Sequence, residues 1–149
     1  RYFHDEIGYN FRLINIQAAL GAAQLEQLPD FLERKQEIHR QYADAIENIA
    51  GLTLAEGPDY ARNNHWLNLA QIDSEIFGED RESLMKRLEE NGIQSRPVWA
   101  PIHLQKPYRS CQTYHIERAE ELIGISLCLP SSTNLSDSNL LKVITNLNE

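Results

Sequence analysis

The spacing of apolar residues predicts two helices in the first third of the chain. Ile16, Leu20 and Ala23 lie three or four residues apart, and Asn15 can cap the helix that they predict. Small residues between them keep the helix narrow, which lets another backbone approach it closely (Ala18, Ala19, Gly21 and Ala22). Pro29 suits the first turn of a second helix. The apolar positions of this second helix follow a helical period and end at a glycine (Phe31, Ile38, Tyr42, Ile46, Ile49 and Gly51).

Short strands alternate with helices in the rest of the chain. Apolar and polar residues alternate in "HWLNLAQI" at 65–72 and in "ISLCL" at 125–129, and "LTL" at 52–54 is typical of a shorter strand. Pro97 keeps "IQSRPVW" extended, because the residue before a proline avoids the helical region. Asp80 and Ser136 can cap helices, and Gly92 and Gly124 can end them.

The resulting order is two helices, two strands, and then helix, strand, helix, strand and helix. Short strands separated by helices indicate an α+β fold with a small, mainly antiparallel sheet and helices packed on one face. The first two helices are expected to form a long arm that precedes the sheet layer. We therefore predict a loop and helical arm at 1–51 and an α+β domain at 52–149.

Composition and charge narrow the function classes. The chain has 149 residues, of which 42% are hydrophobic and 24% charged, and no apolar run has the length of a membrane helix. A net charge of −8 argues against nucleic acid as the main partner, because phosphate backbones require clustered Lys and Arg. Cys111 and Cys128 lack the spacing of a zinc or redox pair, which favours reduced thiols in the cytoplasm. The chain begins at Arg1 with no methionine and no visible signal peptide, and we expect it to be a piece of a longer protein.

The segment "HDEIGYNFR" at 4–12 concentrates polar and aromatic side chains ahead of the first helix. Asn10 and Arg12 alternate to one side of an extended stretch, and an amide beside a guanidinium suits a phosphate. The competing interpretation is that Arg12 pairs with Asp5 or Glu6 while Asn10 satisfies a turn. The run "HDE" is a poor metal site, because three consecutive residues do not easily face one ion.

A second candidate site lies in "RPVWAPIH" at 96–103, where prolines fix an irregular loop that carries Arg96, Trp99 and His103. Such loops often line small-molecule sites. The competing interpretation is a Trp that fills the core and a His bonded to the backbone. His65 is expected to be structural. The sequence shows no nucleophile motif and no glycine-rich phosphate loop.

Three stretches of the chain resemble motifs of the DegT/DnrJ/EryC1/StrS family of pyridoxal-phosphate-dependent sugar aminotransferases. The first is "HDEIGYNFRLINIQAALGAAQLEQL", the second is "GIQSRPVWAPIHLQKPY", and the third is "SLCLPSSTNLSDSNLLKVI". They occur in the family's order, and the resemblance covers essentially all of the chain. The resemblance implies the C-terminal domain of a fold-type I aminotransferase.

The resemblance also implies roles for individual residues. Asn10 matches the asparagine that contacts the phosphate of pyridoxal 5'-phosphate (PLP) from the neighbouring subunit of a homodimer. Arg12 matches an arginine placed to meet phosphate or the anionic nucleotide-sugar. Further substrate contacts are expected from the aromatic residue before Asn10 and from the later loop (Tyr9, Arg96, Trp99 and His103). The Schiff-base lysine belongs to the N-terminal domain, so no catalytic residue is expected in this chain.

The activity implied is amino transfer, usually from glutamate, to a nucleotide-linked 4-keto-6-deoxy sugar, with this chain inactive by itself. Two alternatives remain open. One is a relative without the lysine that dehydrates the sugar, and the other is a non-enzymatic dimerising or regulatory module of the same fold. The sequence of the N-terminal domain would discriminate between the two enzymes.

Overall fold

Four short strands form one sheet in the computed structural model, which describes residues 2–148. The strands are β1 (Leu52–Leu54), β2 (Asn68–Ile72), β3 (Arg96–Pro97) and β4 (Ser126–Leu129). The helices are α1 (Asn15–Glu26), α2 (Leu28–Ile46), α3 (Ser74–Phe77), α4 (Arg81–Glu90), α5 (Glu117–Ile125) and α6 (Asp137–Leu147). Two 3-10 turns, Ile102–Leu104 and Lys106–Tyr108, lie between β3 and α5. Among residues 2–148, no helix is both long enough and apolar enough to cross a membrane.

The sheet has the order β1-β2-β4-β3, and every neighbouring pair is antiparallel. Ala70 pairs with Leu127, and Asn68 pairs with Leu129, so these side chains share one face of the sheet. That face packs against α2, α4 and α6, whose leucines and isoleucines complete the core. The predicted α+β fold with a small antiparallel sheet is therefore confirmed.

The two N-terminal helices differ in how they pack. No residue of α1 is buried, whereas Ile38, Tyr42 and Ile46 of α2 are buried in the core. The Tyr42 hydroxyl donates to the carbonyl of Pro130 at 2.9 Å, and burial raises the pKa of this phenol. Helix α1 thus lies outside the core, as expected of an arm, whereas α2 packs against the sheet. The domain boundary at residue 51 stays a prediction.

Local signals located several helix ends correctly, but α2 ends at Ile46 and not at the predicted Gly51. Asp80 accepts the backbone N–H of Ser83, and Ser136 accepts that of Asn139, as capping predicts. Asn15 does not cap α1: Ile14 precedes the helix, and its N–H donates to the side chain of Gln17 at 3.3 Å. Helix α5 also continues through Gly124 to Ile125 instead of ending at the glycine.

The stretch predicted as a strand from 65 is shorter in the structure, because β2 begins at Asn68. His65 has a φ of 47°, in the left-handed region. The side-chain oxygens of Asn63 and Asn64 accept the backbone N–H groups of His65 and Trp66, each at 3.0 Å. These side-chain turns replace the hydrogen bonds that a longer strand would make.

Candidate functional site

The two candidate segments lie side by side. Residues 2–14, here called the N-terminal segment, contact residues 97–108, here called the proline loop. Gln105 of the proline loop accepts the His4 N–H at 2.8 Å and donates to the Tyr2 carbonyl at 2.6 Å. The rings of Tyr2 and Trp99 lie 6.0 Å apart, and Lys106 forms an ion pair with Asp5 at 3.2 Å. Segments about a hundred residues apart in the chain thus form one surface.

A pocket of about 530 Å³ lies between the N-terminal segment and the proline loop. Ile7 and Gly8 line one side, and Trp99 and Pro107 line the other. Most of its lining is apolar, which suits the hydrophobic part of a small ligand. The pocket ends at Gly8, so Asn10 and Arg12 lie outside it.

Asn10 and Arg12 are both exposed at the surface. The Asn10 side-chain oxygen accepts the Arg12 backbone N–H at 3.1 Å, so the interpretation of Asn10 as a turn residue is confirmed. Arg12 has a φ of 78°, and the segment therefore bends here rather than staying extended. The alternative in which Arg12 pairs with Asp5 or Glu6 is wrong, because no such ion pair forms within residues 2–148. The Asn10 amide group and the Arg12 guanidinium remain available to an anion.

Trp99 lies at the surface, with 45% of its area exposed, so the interpretation of a Trp that fills the core is wrong. Its ring stacks on Trp66 with centroids 5.7 Å apart and an angle of 26° between the planes. Trp66 is itself exposed, as is Tyr9 of the N-terminal segment. Exposed aromatic faces of this kind can stack on a planar or apolar ligand.

His103 lies in the 3-10 turn Ile102–Leu104, and its Nε2 is 2.7 Å from a carboxylate oxygen of Glu120 on α5. The expectation of a backbone partner for this histidine is therefore wrong. A carboxylate on one ring nitrogen sets the tautomer and the orientation of an imidazole. Sequence reasoning missed Glu120, because helix periodicity does not show which loop a helix contacts.

Arg96 begins the edge strand β3 and faces a different cavity, a groove of about 550 Å³. Lys35 and Lys142 line the same groove, and no Asp or Glu among residues 2–148 does so. Lys35 donates to the carbonyls of Trp66 and Ser131, and desolvation by burial lowers its pKa. The structure thus separates Arg96 from Arg12, while Trp66 and Trp99 stack between the groove and the pocket.

A buried polar network, also missed in the sequence, supports the groove. Asn68 is 1% exposed, and its amide donates to the Ser131 hydroxyl at 3.0 Å and accepts from His39 at 2.8 Å. The His39 ring stacks on His65 with centroids 3.8 Å apart. Burial, and then the neighbouring His39, lower the pKa of His65. His65 therefore has the structural role that was expected.

The thiols and acidic residues form no further site in the described part of the chain. Cys111 is exposed and Cys128 is buried, and both are free. No group of three or more His, Cys, Asp or Glu residues within 2–148 is arranged to hold a metal ion.

Comparisons of the sequence and of the structure with known proteins agree on one family. The sequence pattern of the DegT/DnrJ/EryC1/StrS aminotransferase family matches residues 1–148. The chain is 34% identical over 149 residues to the putative pyridoxal phosphate-dependent aminotransferase EpsN of Bacillus subtilis (strain 168). It is 35% identical over 149 residues to the GDP-perosamine synthase of Escherichia coli O157:H7.

These matches cover 96% and 100% of this chain but only 37% and 39% of the two relatives. The solved structure of DesI in the presence of its TDP-sugar product superposes with a TM-score of 0.80 and 26% identity. That superposition covers 89% of this chain and 34% of DesI. The chain therefore spans less than two fifths of the length of each of these three proteins.

Proposed function

The chain belongs to the DegT/DnrJ/EryC1/StrS aminotransferase family, and from this premise we propose that it is the C-terminal part of a PLP-dependent sugar aminotransferase. The proposed reaction exchanges the ketone of a nucleotide-linked 4-keto-6-deoxy sugar for an amino group taken from glutamate. The observation that carries the proposal is the family match over residues 1–148. The whole enzyme is expected to act in the cytoplasm.

The names of the relatives support a nucleotide-linked substrate. One relative is a GDP-perosamine synthase, and a structural neighbour was solved with a TDP-sugar product. The free cations of this chain are consistent with such a ligand. Arg12 makes no ion pair within residues 2–148. Arg96 lies in a groove that is also lined by lysines, and no Asp or Glu of the described residues lines this groove. A guanidinium can grip two oxygens of a diphosphate at once.

The N-terminal segment fits the phosphate of PLP. Asn10 uses its side-chain oxygen within its own turn, which leaves its two amide hydrogens to donate to a phosphate oxygen. The chemistry that PLP supplies when bound is an electron sink for the carbon that gains or loses the amino group. The part of this chain is to hold the phosphate and the substrate, not to move protons.

The proline loop and its neighbours are proposed to hold the sugar and the base. Trp99 and Tyr9 offer exposed aromatic faces, and His103 is oriented by Glu120 so that its other ring nitrogen can bond a hydroxyl or phosphoryl oxygen. These contacts bind and orient the ligand rather than react with it.

The lysine that holds PLP covalently is proposed to lie outside this chain. Lys35 and Lys142 donate to backbone carbonyls, while Lys86 and Lys106 pair with carboxylates. Lys106 alone borders the N-terminal segment, and its ammonium group is exposed beside Asp5 rather than enclosed. Burial lowers the pKa of Lys35, but its ammonium group is bonded to two carbonyls in the groove, away from the pocket beside the N-terminal segment.

We also propose a homodimer with an active site completed across the interface, and the exposed apolar surface of the first helix supports the dimer. Ile16 and Leu20 of α1 are 72% and 61% exposed, and the small residues Ala18 and Ala19 lie between them in the chain. Contiguous exposed apolar patches of this kind usually mark interaction sites. We place the second subunit on this helix, with Asn10 and Arg12 reaching its cofactor.

Turnover by the intact enzyme tests the proposal. Incubation with glutamate and a panel of GDP-, TDP- and UDP-linked 4-keto-6-deoxy sugars should yield an amino sugar and 2-oxoglutarate in equal amounts by mass spectrometry. Omission of glutamate should abolish product. Loss of the ketosugar without glutamate would support a dehydratase instead, and no conversion of any ketosugar would favour a non-enzymatic module.

A further inference from the structure

Gln105 is a buried polar residue that joins two distant parts of the chain. It is 6% exposed and lies between the two 3-10 turns of the proline loop. Its Oε1 accepts the His4 N–H at 2.8 Å, and its Nε2 donates to the carbonyls of Tyr2 at 2.6 Å and Ala100 at 3.4 Å. One carboxamide thus satisfies two backbone groups of the N-terminal segment and one of the proline loop.

The contacts require an amide at this position. A carboxamide has both an acceptor oxygen and a donor NH₂ group, whereas a carboxylate has no donor and a thioether has neither strong group. Replacement by Glu would place a carboxylate against the Tyr2 and Ala100 carbonyls. Replacement by Met would keep the length but deprive three part-buried backbone groups of this partner, which is unfavourable.

The ion pair between the N-terminal segment and the proline loop is a weaker polar contact. Lys106 and Asp5 are 66% and 82% exposed, and ion pairs this exposed contribute little. Residues 2–14 contain no helix or strand, so their backbone has no ladder of hydrogen bonds. The position of this segment therefore depends strongly on the buried amide.

We propose that Gln105 is a positioning residue that holds the N-terminal segment, and with it Asn10 and Arg12, in a fixed place relative to His103 and Trp99. The inference rests on the proposed function, in which Asn10 contacts the cofactor phosphate. Gln105 itself touches neither cofactor nor substrate. It makes the two segments act as one unit on a single active site.

The intact enzyme allows two independent readouts for Gln105→Glu and Gln105→Met. Gln112→Glu is the matched control, because Gln112 is exposed and lies outside both segments. Amide hydrogen exchange at His4 should accelerate about 3- to 10-fold in Gln105→Met, the factor expected for one lost hydrogen bond, but not in the control. Gln105→Glu keeps an acceptor for this N–H and loses only the donor contacts to the carbonyls. PLP affinity should fall by a similar factor, about 3- to 10-fold.

Combination with Asn10→Ala separates positioning from general stability. If Gln105 acts through Asn10, the double variant should bind PLP no more weakly than Asn10→Ala alone. Independent, multiplying losses would overturn the positioning role, as would unchanged PLP affinity. Unchanged hydrogen exchange in Gln105→Met would overturn the contact itself. A wild-type enzyme that binds no PLP would contradict the proposed function, while hydrogen exchange would still test the contact.

Discussion

Asn10 and Arg12 combine a local turn with polar groups that remain free for a ligand. The turn uses the Asn10 oxygen and the Arg12 N–H, and it holds Arg12 in the left-handed region. A non-glycine residue in this region costs of order 1–3 kcal/mol. Such strain is often found where a side chain has to point at a ligand.

Substitutions at these two residues should affect different ligands. Asn10→Ala would remove the proposed hydrogen bond to the charged phosphate of PLP. Such a bond is worth about 1.5–3 kcal/mol, so PLP affinity of the intact enzyme should fall about 10- to 100-fold. Arg12→Ala should mainly raise the apparent KM for the nucleotide-sugar. Spectroscopic titration with PLP and steady-state kinetics measure the two effects. Equal PLP affinities in Asn10→Ala and the wild type would contradict the phosphate contact.

The stacked pair of His39 and His65 should make the free energy of unfolding depend on pH. Because its folded pKa is lowered below the ordinary value of 6.5, the unfolded chain binds this proton more readily than the folded chain. The stabilising contribution is complete above pH 6.5 and is lost as the pH falls below that value. Denaturant unfolding at several pH values should show a smaller loss in acid for His65→Gln than for the wild type.

His115→Gln is the matched control for this experiment, because His115 is exposed and also has a left-handed backbone. It should keep the pH dependence of the wild type. Identical curves for His65→Gln and the wild type would show that His65 does not cause the acid sensitivity.

At the scale of secondary-structure elements, the turn between α2 and β1 depends on Gly51. This glycine has a φ of 80°, and a Cβ at this position would lie 2.8 Å from Cα and Cβ of Phe77. Gly78 has a φ of 91°, but nothing lies within 4 Å of its hypothetical Cβ. An alanine at Gly78 would therefore cause backbone strain alone, whereas an alanine at Gly51 would cause backbone strain and a steric clash with Phe77.

Gly78→Ala should destabilise the fold by about 1–2 kcal/mol, the cost of a left-handed alanine. Gly51→Ala carries the same cost and in addition forces Phe77 away, which should add about 1–3 kcal/mol. Equilibrium unfolding in urea measures both free energies. A Gly51→Ala variant no less stable than Gly78→Ala would mean that α3 moves without cost.

At the scale of the whole molecule, the apolar surface is divided between a closed core and an open N-terminal region. The core uses one face of the sheet and three helices. The N-terminal segment and α1 leave their large apolar side chains exposed, with Phe11 at 87% and Leu13 at 72%. This division is what we expect of a surface that a second subunit covers.

Mixed dimers of the intact enzyme test whether Asn10 serves the partner subunit. One subunit would lack the active-site lysine, and the other would carry Asn10→Ala. If Asn10 reaches across the interface, both defects fall in one site and the other site is whole, so the dimer should retain about half of the wild-type activity. If Asn10 serves its own subunit, both sites are damaged. Activity at or below that of the Asn10→Ala homodimer would then contradict the cross-subunit role.

Much of the fold follows from local patterns in the sequence. The period of α2, the alternation in β2 and the caps at Asp80 and Ser136 depend on residues only a few positions apart. The resemblance to the family also rests on contiguous motifs, and the family match over residues 1–148 confirms it. The helix period, the strand alternation and the caps depend on residues that are close in the chain, so they can be predicted from the sequence.

The sheet order and the partners of the site residues were decided by the tertiary structure alone. Nothing near His103 predicts Glu120 as its partner, and nothing near Gln105 predicts Tyr2 and His4. Trp99 has a large apolar side chain of the kind often found in a core, but it stacks on Trp66 at the surface. Each of these contacts joins positions far apart in the chain, and their geometry exists only once the sheet and its helices have assembled. The sequence by itself determined most of the helices and strands, whereas long-range packing decided how the candidate site residues meet.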